Sequence, residues 1–166
     1  MELVTDTSAT RLTDDMANYA EKEGLIAVTD QEVETTIYRR PGFEGVLPLA
    51  DFEDRIGAWL KSVRASTNLS QEEFGQFLGL TKIAYGRYER GKAKLTLSRY
   101  IVICEILGLN PIDGFYNVAP HLFGTTSEIA EQRRNVQSKI ATMNDDMLSV
   151  LHQMLTNIEA LKAAAK

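Results

Sequence analysis

Apolar residues recur along the middle of the chain with a helical period. Phe52, Ile56, Trp59, Leu60 and Val63 fall at i, i+4, i+7, i+8 and i+11, one face of a helix running from Asp51 to about Ser66. Thr67-Asn68-Leu69 breaks it. Ser70, with Glu73 three residues on, then forms a capping box that opens a second helix over 71–78, presenting Phe74, Phe77 and Leu78. Gly79 marks a tight turn, Thr81 caps a third helix over 82–90, and Gly91 suits its left-handed end. After a basic loop, Thr96 to Leu107 reads as a fourth helix with Leu97, Tyr100, Ile101, Ile103, Cys104 and Leu107 largely inward. Gly108 ends it, and Pro111 opens a short fifth helix near Ile112–Tyr116. Residues 51–117 thus supply five compact helices.

The flanks read differently. Arg11 to Glu23 fits an amphipathic helix capped by Thr13, with Leu12, Met16, Tyr19 and Ala20 on one side. From Val28 to Leu49 the pattern loosens. Val33–Tyr38 has strand-like content, and Pro41, Gly42, Gly45 and Pro48 punctuate the stretch after it, as in an arm that packs on the core or on a partner. In the tail, Ile129, Arg133, Val136, Ile140, Met143, Met147, Leu151, Met154, Ile158 and Leu161 alternate steps of four and three. That is a heptad seam, interrupted by the basic Arg133 and by two successive steps of four across Met147. Asn144-Asp145-Asp146 offers a fresh cap, so one long rod and an antiparallel helix pair both fit.

Composition narrows the class. At 166 residues, 44% hydrophobic and 25% charged, the chain has the profile of a soluble globular protein. No apolar run approaches the ~18 residues of a membrane span, and Met1–Asp6 lacks the basic and apolar regions of a signal peptide. The single cysteine, Cys104, sits in an apolar helical pattern as core filler. A cytoplasmic protein is expected.

The net charge of −5 hides a gradient. Residues 1–50 hold 4 Lys/Arg against 10 Asp/Glu, whereas 51–100 hold 9 against 6. Within 81–99, Lys82, Arg87, Arg90, Lys92, Lys94 and Arg99 are opposed by Glu89 alone. Because salt screens charges beyond ~8–10 Å, this local excess governs attraction to phosphates, not the acidic ends. A solvated surface face is the plainer explanation of the same cluster.

Two helices on so short a turn form a compact angle that pushes the second outward, the geometry of a major-groove reader. The residues here resemble a known family. Arg55-Ile56, Leu60–Arg64, Leu69–Gly75, Leu78–Thr81, Tyr88–Gly91 and Ile106–Leu109 are similar to the helix-turn-helix domain of the XRE family, typified by the lambda and 434 phage repressors and Cro. The resemblance spans 51–109. It implies an all-α fold, a five-helix lambda-repressor-like DNA-binding domain over 51–117. Around it stand an acidic, partly helical N-terminal arm or linker, 1–50, and a C-terminal helical dimerisation region, 118–166, as coiled coil or helical hairpin.

Site residues follow from the resemblance. Gly75 stands where the two helices cross, and Arg64 is expected to bridge Glu89 and hold the reading helix at its angle. Gln71 resembles a phosphate-bonding residue that also steadies its neighbours. Thr81, Lys82 and Ile83 begin the reading helix, with Lys82 suited to guanine O6/N7 and Ile83 to a thymine methyl. Gly86 and Arg87 face the same groove one turn on, while Arg90, Lys92 and Lys94 suit the phosphate backbone. Two positions depart from the family: Tyr85 replaces a buried Ile or Val, tilting the helix or offering its hydroxyl to DNA, and Gly86 replaces a polar contact.

The leading expectation is a transcriptional regulator that binds a palindromic operator on double-stranded DNA as a homodimer. Val136, Ile140, Met143, Met147, Leu151, Met154, Ile158 and Leu161 would join the copies. The alternative is the antitoxin of a toxin–antitoxin pair, with the arm or tail holding a protein partner. An enzyme is not expected: His121 and His152 are far apart and outside metal-ligand spacing, and Pro41–Gly45 lacks the Lys-Ser/Thr of a phosphate loop. No metal, cofactor or membrane is implied.

Overall fold

Helix α2 (Leu49–Ser66) is the spine, and its inward face is the one set by the apolar spacing, with Trp59 and Leu60 buried. The structure, a computed structural model, describes residues 12–164. The Met1–Asp6 stretch, the Arg11 end of the first expected helix, and residues 165–166 lie outside the described residues.

Helices α3 (Gln71–Phe77), α4 (Lys82–Glu89), α5 (Leu97–Leu107) and α6 (Pro111–Val118) follow within two residues of their expected limits. Their starts are chemically determined. The Ser70 hydroxyl accepts from Glu73 N–H while Glu73 returns the bond to Ser70 N–H. Thr81, Thr96 and Asn110 cap α4, α5 and α6 with side-chain oxygens that accept from Ala84, Arg99 and Ile112 N–H, without a return bond. Each such cap is worth roughly 1 kcal/mol. Gly79 takes φ 66°, the left-handed conformation that lets α3 end and α4 begin with four residues between them.

Leu60, Phe74, Tyr85 and Ile103 have wholly enclosed side chains, with Trp59, Tyr100 and Cys104 around them. Phe74 and Tyr85 meet edge to face with centroids 5.0 Å apart. Gly75 lies where expected: a Cβ there would stand 3.0 Å from Leu80 O and 3.3 Å from Tyr85 Cβ. Not every apolar position points inward. Leu97 and Ile101 of α5 and Phe77 of α3 are exposed, because their helices touch the core along narrower stripes than the sequence suggests.

The arm is more ordered than its composition implies. Helix α1 (Asp14–Lys22), capped by Thr13, leads into a hairpin of β1 (Ile26–Asp30) and β2 (Val33–Arg39), pairing Ile26 with Arg39 and Val28 with Ile37. β1 is absent from the sequence reading, since five residues leave little alternation to detect. The hairpin docks on its own domain. Asp30 Oδ2 accepts Leu49 N–H at 2.8 Å, capping α2, whose own preceding residue, Pro48, makes no side-chain cap. Arg39 donates to Leu47 O and lies 5.1 Å from the Phe52 ring centroid. Arg55 is held by Glu44 (Nη2–Oε1 2.8 Å) and donates to Val118 O.

After a short 3₁₀ turn (Pro120–Leu122), α7 (Ser127–Ala141) buries Ala130 against the body. The chain then breaks at Thr142–Asn144, and Asn144 Oδ1 caps α8 (Asp145–Ala164) through Met147 N–H at 2.9 Å. The seam is therefore not one continuous rod. Nor are α7 and α8 zipped into a hairpin, for α8 buries none of its residues.

Candidate nucleic-acid interface

Helix α4 has two faces of different chemistry. Tyr85, Tyr88 and Glu89, at i, i+3 and i+4, turn towards α2 and α3, with Tyr85 and Glu89 buried. Lys82, Ile83, Arg87 and Arg90 turn outward, and Ile83 is 76% exposed.

The rear face is fixed by a charge network. Arg64 Nε donates to Glu89 Oε1 at 2.5 Å and Nη2 to Oε2 at 3.1 Å, a bidentate fork. Arg64 Nη1 also donates to Leu69 O at 2.8 Å, tying α2 to the loop before α3. Gln71 Nε2 donates to Glu89 Oε2 at 2.7 Å. Burial works against the Glu89 carboxylate, yet the bonds from Arg64 and Gln71 outweigh it and hold its pKa below the usual carboxylate value. One acid thus joins α2, α3 and α4. Close approach of α2 to the end of α4 needs Gly57, where a Cβ would stand 2.7 Å from Glu89 O.

Two expected contact positions are placed elsewhere. Tyr85 is wholly enclosed against Phe74, so its side chain faces the core and not the exterior. Its hydroxyl lies buried without a hydrogen-bond partner, and burial, then the Glu89 charge, push its pKa up. The helix phase decides this: residue 85 shares its face with 88 and 89. Gly86 is also buried, covered by neighbours; a Cβ there would stand 2.9 Å from Arg90 Nη1 and 3.2 Å from Gln71 Oε1. Arg90 therefore folds back across α4.

The remaining positions lie at the surface. Thr81 spends its hydroxyl on Ala84 N–H at 3.2 Å as a cap. Lys82, Arg87, Arg90, Lys92 and Lys94 are exposed, and Gln71 is half-buried, its amide engaged by Glu89. Lys94 pairs with Glu32 of the hairpin, at 2.9 Å, which raises its pKa. Arg99 donates to Leu78 O and so supports the turn. Sequence reasoning missed Glu72 and Gln76, which line one concave surface with Thr81, Lys82 and Ile83. It also missed the acid at the hairpin tip, 62 residues before its partner in the chain.

Among the described residues, no group of His, Cys, Asp and Glu is arranged to hold a metal ion, and no single helix is long and apolar enough to cross a membrane.

Comparison with known proteins gives matches to part of the chain. The helix-turn-helix family matches residues 60–114. Over 55 residues, 33% of this chain, the sequence is 41% identical to the SPbeta prophage-derived uncharacterized HTH-type transcriptional regulator YonR of Bacillus subtilis, spanning 51% of that protein's length. The chain thus spans about half the length of this curated relative. Among solved structures, the restriction-modification controller protein C.AhdI of Aeromonas hydrophila is similar at 27% identity and TM-score 0.35, covering 39% of this chain and 96% of that one. The clp gene regulator ClgR of Corynebacterium glutamicum is similar at 23% identity and TM-score 0.39, covering 45% and 92%.

Proposed function

We propose that this chain, whose residues 60–114 form a helix-turn-helix domain of the XRE type, is a DNA-binding transcriptional regulator that reads a palindromic operator as a homodimer. The observation that carries the reading is the division of α4: Glu89 locks its rear to α2 and α3, while Lys82, Ile83 and Arg87 are exposed on the outer side and Arg90 lies folded back over Gly86. A helix clamped on one side and cationic on the other is what groove reading requires.

In this reading Lys82 and Arg87 donate to base edges and Ile83 packs on a thymine methyl. Arg90, Lys92 and Lys94 meet phosphates, and Gln71 supports them from α3. One domain supplies few base contacts. Two copies with reading helices about one DNA turn apart, ~34 Å, supply enough for a specific operator. The exposed apolar positions of the tail, Val136 on α7 and Met147, Met154, Ile158 and Leu161 on α8, support joining them, with Ile140, Met143 and Leu151 on the same seam.

Selection of bound sequences from a random pool of double-stranded DNA tests the proposal. Enrichment of an inverted repeat with half-sites about one turn apart is expected. Enrichment of a single asymmetric site would remove the homodimer, and no enrichment at all would remove sequence-specific binding.

A further inference from the structure

The last helix is at odds with the rest of the molecule. α8 is 20 residues long and buries none of them, yet Met147, Leu151, Met154, Ile158 and Leu161 fall within about an 80° arc at 100° per residue. Leu148 and Leu155 widen that stripe on one side. Met154 is 57% exposed and Leu161 71%. A helix of this length extends about 30 Å, and a stripe along all of it has no covering among the described residues.

The distribution of charge indicates what covers it. From Met147 to Ile158 there is no Asp, Glu, Lys or Arg. Asp145 and Asp146 occupy the first turn and Lys162 the last, and Glu159 stands about 100° around the helix from Ile158, off the stripe. The polar side, Ser149, His152, Gln153, Thr156 and Asn157, lacks the Lys/Arg that attach an interfacial helix to a lipid surface. A second copy laid parallel would bring four carboxylates together at one end. Laid antiparallel, it separates the two acid pairs by the helix length, beyond the ~8–10 Å screening distance. It also sets each acid pair at the end of the partner that carries Glu159 and Lys162, an end without net charge, and opposes the two helix dipoles.

We propose that α8 pairs antiparallel with α8 of a second copy of this chain, building the dimer interface from this helix, with Leu151 against the partner's Met154 and Met147 against the partner's Ile158. This rests on the homodimer reading above and deepens it. Heptad layers in an antiparallel pair match an a position to a d position, and that register satisfies both layers. The two-fold axis then crosses the helices between His152 and Gln153, so the paired tails relate the two DNA-binding domains by the symmetry a palindrome needs.

Cysteine crosslinking in the full chain tests this. The native Cys104 is buried and 3% exposed, so it stays silent, and α8 supplies nothing to the core, so substitutions there leave the domain folded. Met147→Cys alone and Ile158→Cys alone should give no oxidised dimer, because like positions are about 16 Å apart in the antiparallel pair, 11 residues of helix rise. Mixed and allowed to exchange subunits, the two variants should give a crosslinked heterodimer. Efficient crosslinking of Met147→Cys with itself would establish a parallel pair and overturn the proposal. A dimer by light scattering with no crosslink in any combination would place the interface elsewhere, leaving the homodimer reading intact. A monomer by light scattering would remove the homodimer reading and this proposal together, with DNA binding measured separately by pool selection.

Discussion

Lys94 Nζ lies 2.9 Å from Glu32 Oε2, so an acid at the tip of the β1–β2 hairpin holds a cation from the loop that follows α4. The hairpin is no loose appendage, for Asp30 next to that tip caps α2 through Leu49 N–H. Both acids are thereby stationed beside the surface proposed to meet phosphates. Glu32→Gln should release Lys94 to the DNA backbone. Affinity should rise a few fold at low salt for all sequences alike, and the slope of log affinity against log salt should steepen by roughly 0.9, one phosphate contact. Fluorescence anisotropy across a salt series measures both. An unchanged slope would mean that Lys94 does not reach DNA once freed.

The Arg64–Glu89–Gln71 network sets stability as well as orientation. Glu89 has a side chain 2% exposed and Arg64 15%, so removing one partner strands a buried charge. Arg64→Ala should cost about 3 kcal/mol, at the lower end of what buried pairs lose when broken. The loss is read from urea unfolding. Glu89→Gln should destabilise as well, since its one amide oxygen keeps a bond from Arg64 while its NH2 replaces an acceptor facing the donors Arg64 Nη2 and Gln71 Nε2.

The same network fixes a pH dependence. The folded pKa of Glu89 lies below its ordinary value of 4.5, with burial opposing and the Arg64 and Gln71 bonds prevailing. Its stabilisation is therefore complete above about pH 4.5 and drains away as pH falls through the lower folded value. Urea midpoints of the parent chain should drop on acidification across that window more steeply than those of Glu89→Gln. Parallel curves would assign acid sensitivity to other carboxylates.

Much of the domain is legible in the amino-acid sequence. The i, i+4, i+7 spacing of α2, the Ser70–Glu73 box and the Thr81 and Thr96 caps are local signals, and local signals place elements well. Arg64 and Glu89 are 25 residues apart, and only the family resemblance joins them. What escapes is long-range. Asp30 caps a helix that starts 19 residues later, and Glu32 meets Lys94 across the domain; no window of sequence contains both partners. Tyr85 is a different failure. Its burial is readable from the shared face with Tyr88 and Glu89, but the departure from the family's usual residue draws attention to its hydroxyl over its phase.

Tyr85→Phe turns that correction into a measurement. The hydroxyl is buried without a hydrogen bond of normal geometry, although it faces the Glu89–Arg64 pair, and a desolvated, poorly bonded polar group contributes little or costs up to about 1–3 kcal/mol. Removing it at constant ring volume should leave stability unchanged or raise it by roughly 1 kcal/mol. DNA affinity should be unaltered, because the ring packs on Phe74 behind the reading face. A marked loss of binding with normal stability would return Tyr85 to the interface.

Lys82 and Arg87 are the sharpest test of the outer face. Both are exposed, neither belongs to the Glu89 network, and among the described residues the Arg87 side chain makes one long hydrogen bond, 3.4 Å, to Lys92 O. Lys82→Ala and Arg87→Ala should therefore leave the urea midpoint in place. Each should weaken operator binding by ~1–3 kcal/mol if it reads a base, and relax preference at one position of the selected site. Arg90→Ala should behave differently, weakening binding to operator and unrelated DNA equally and lowering the salt slope, as a phosphate contact does. Separating those two patterns distinguishes a reading helix from a merely cationic one. If all three substitutions depress affinity equally on every sequence, α4 attracts DNA without reading it, and specificity must lie with the concave surface lined by Glu72, Gln76 and Ile83.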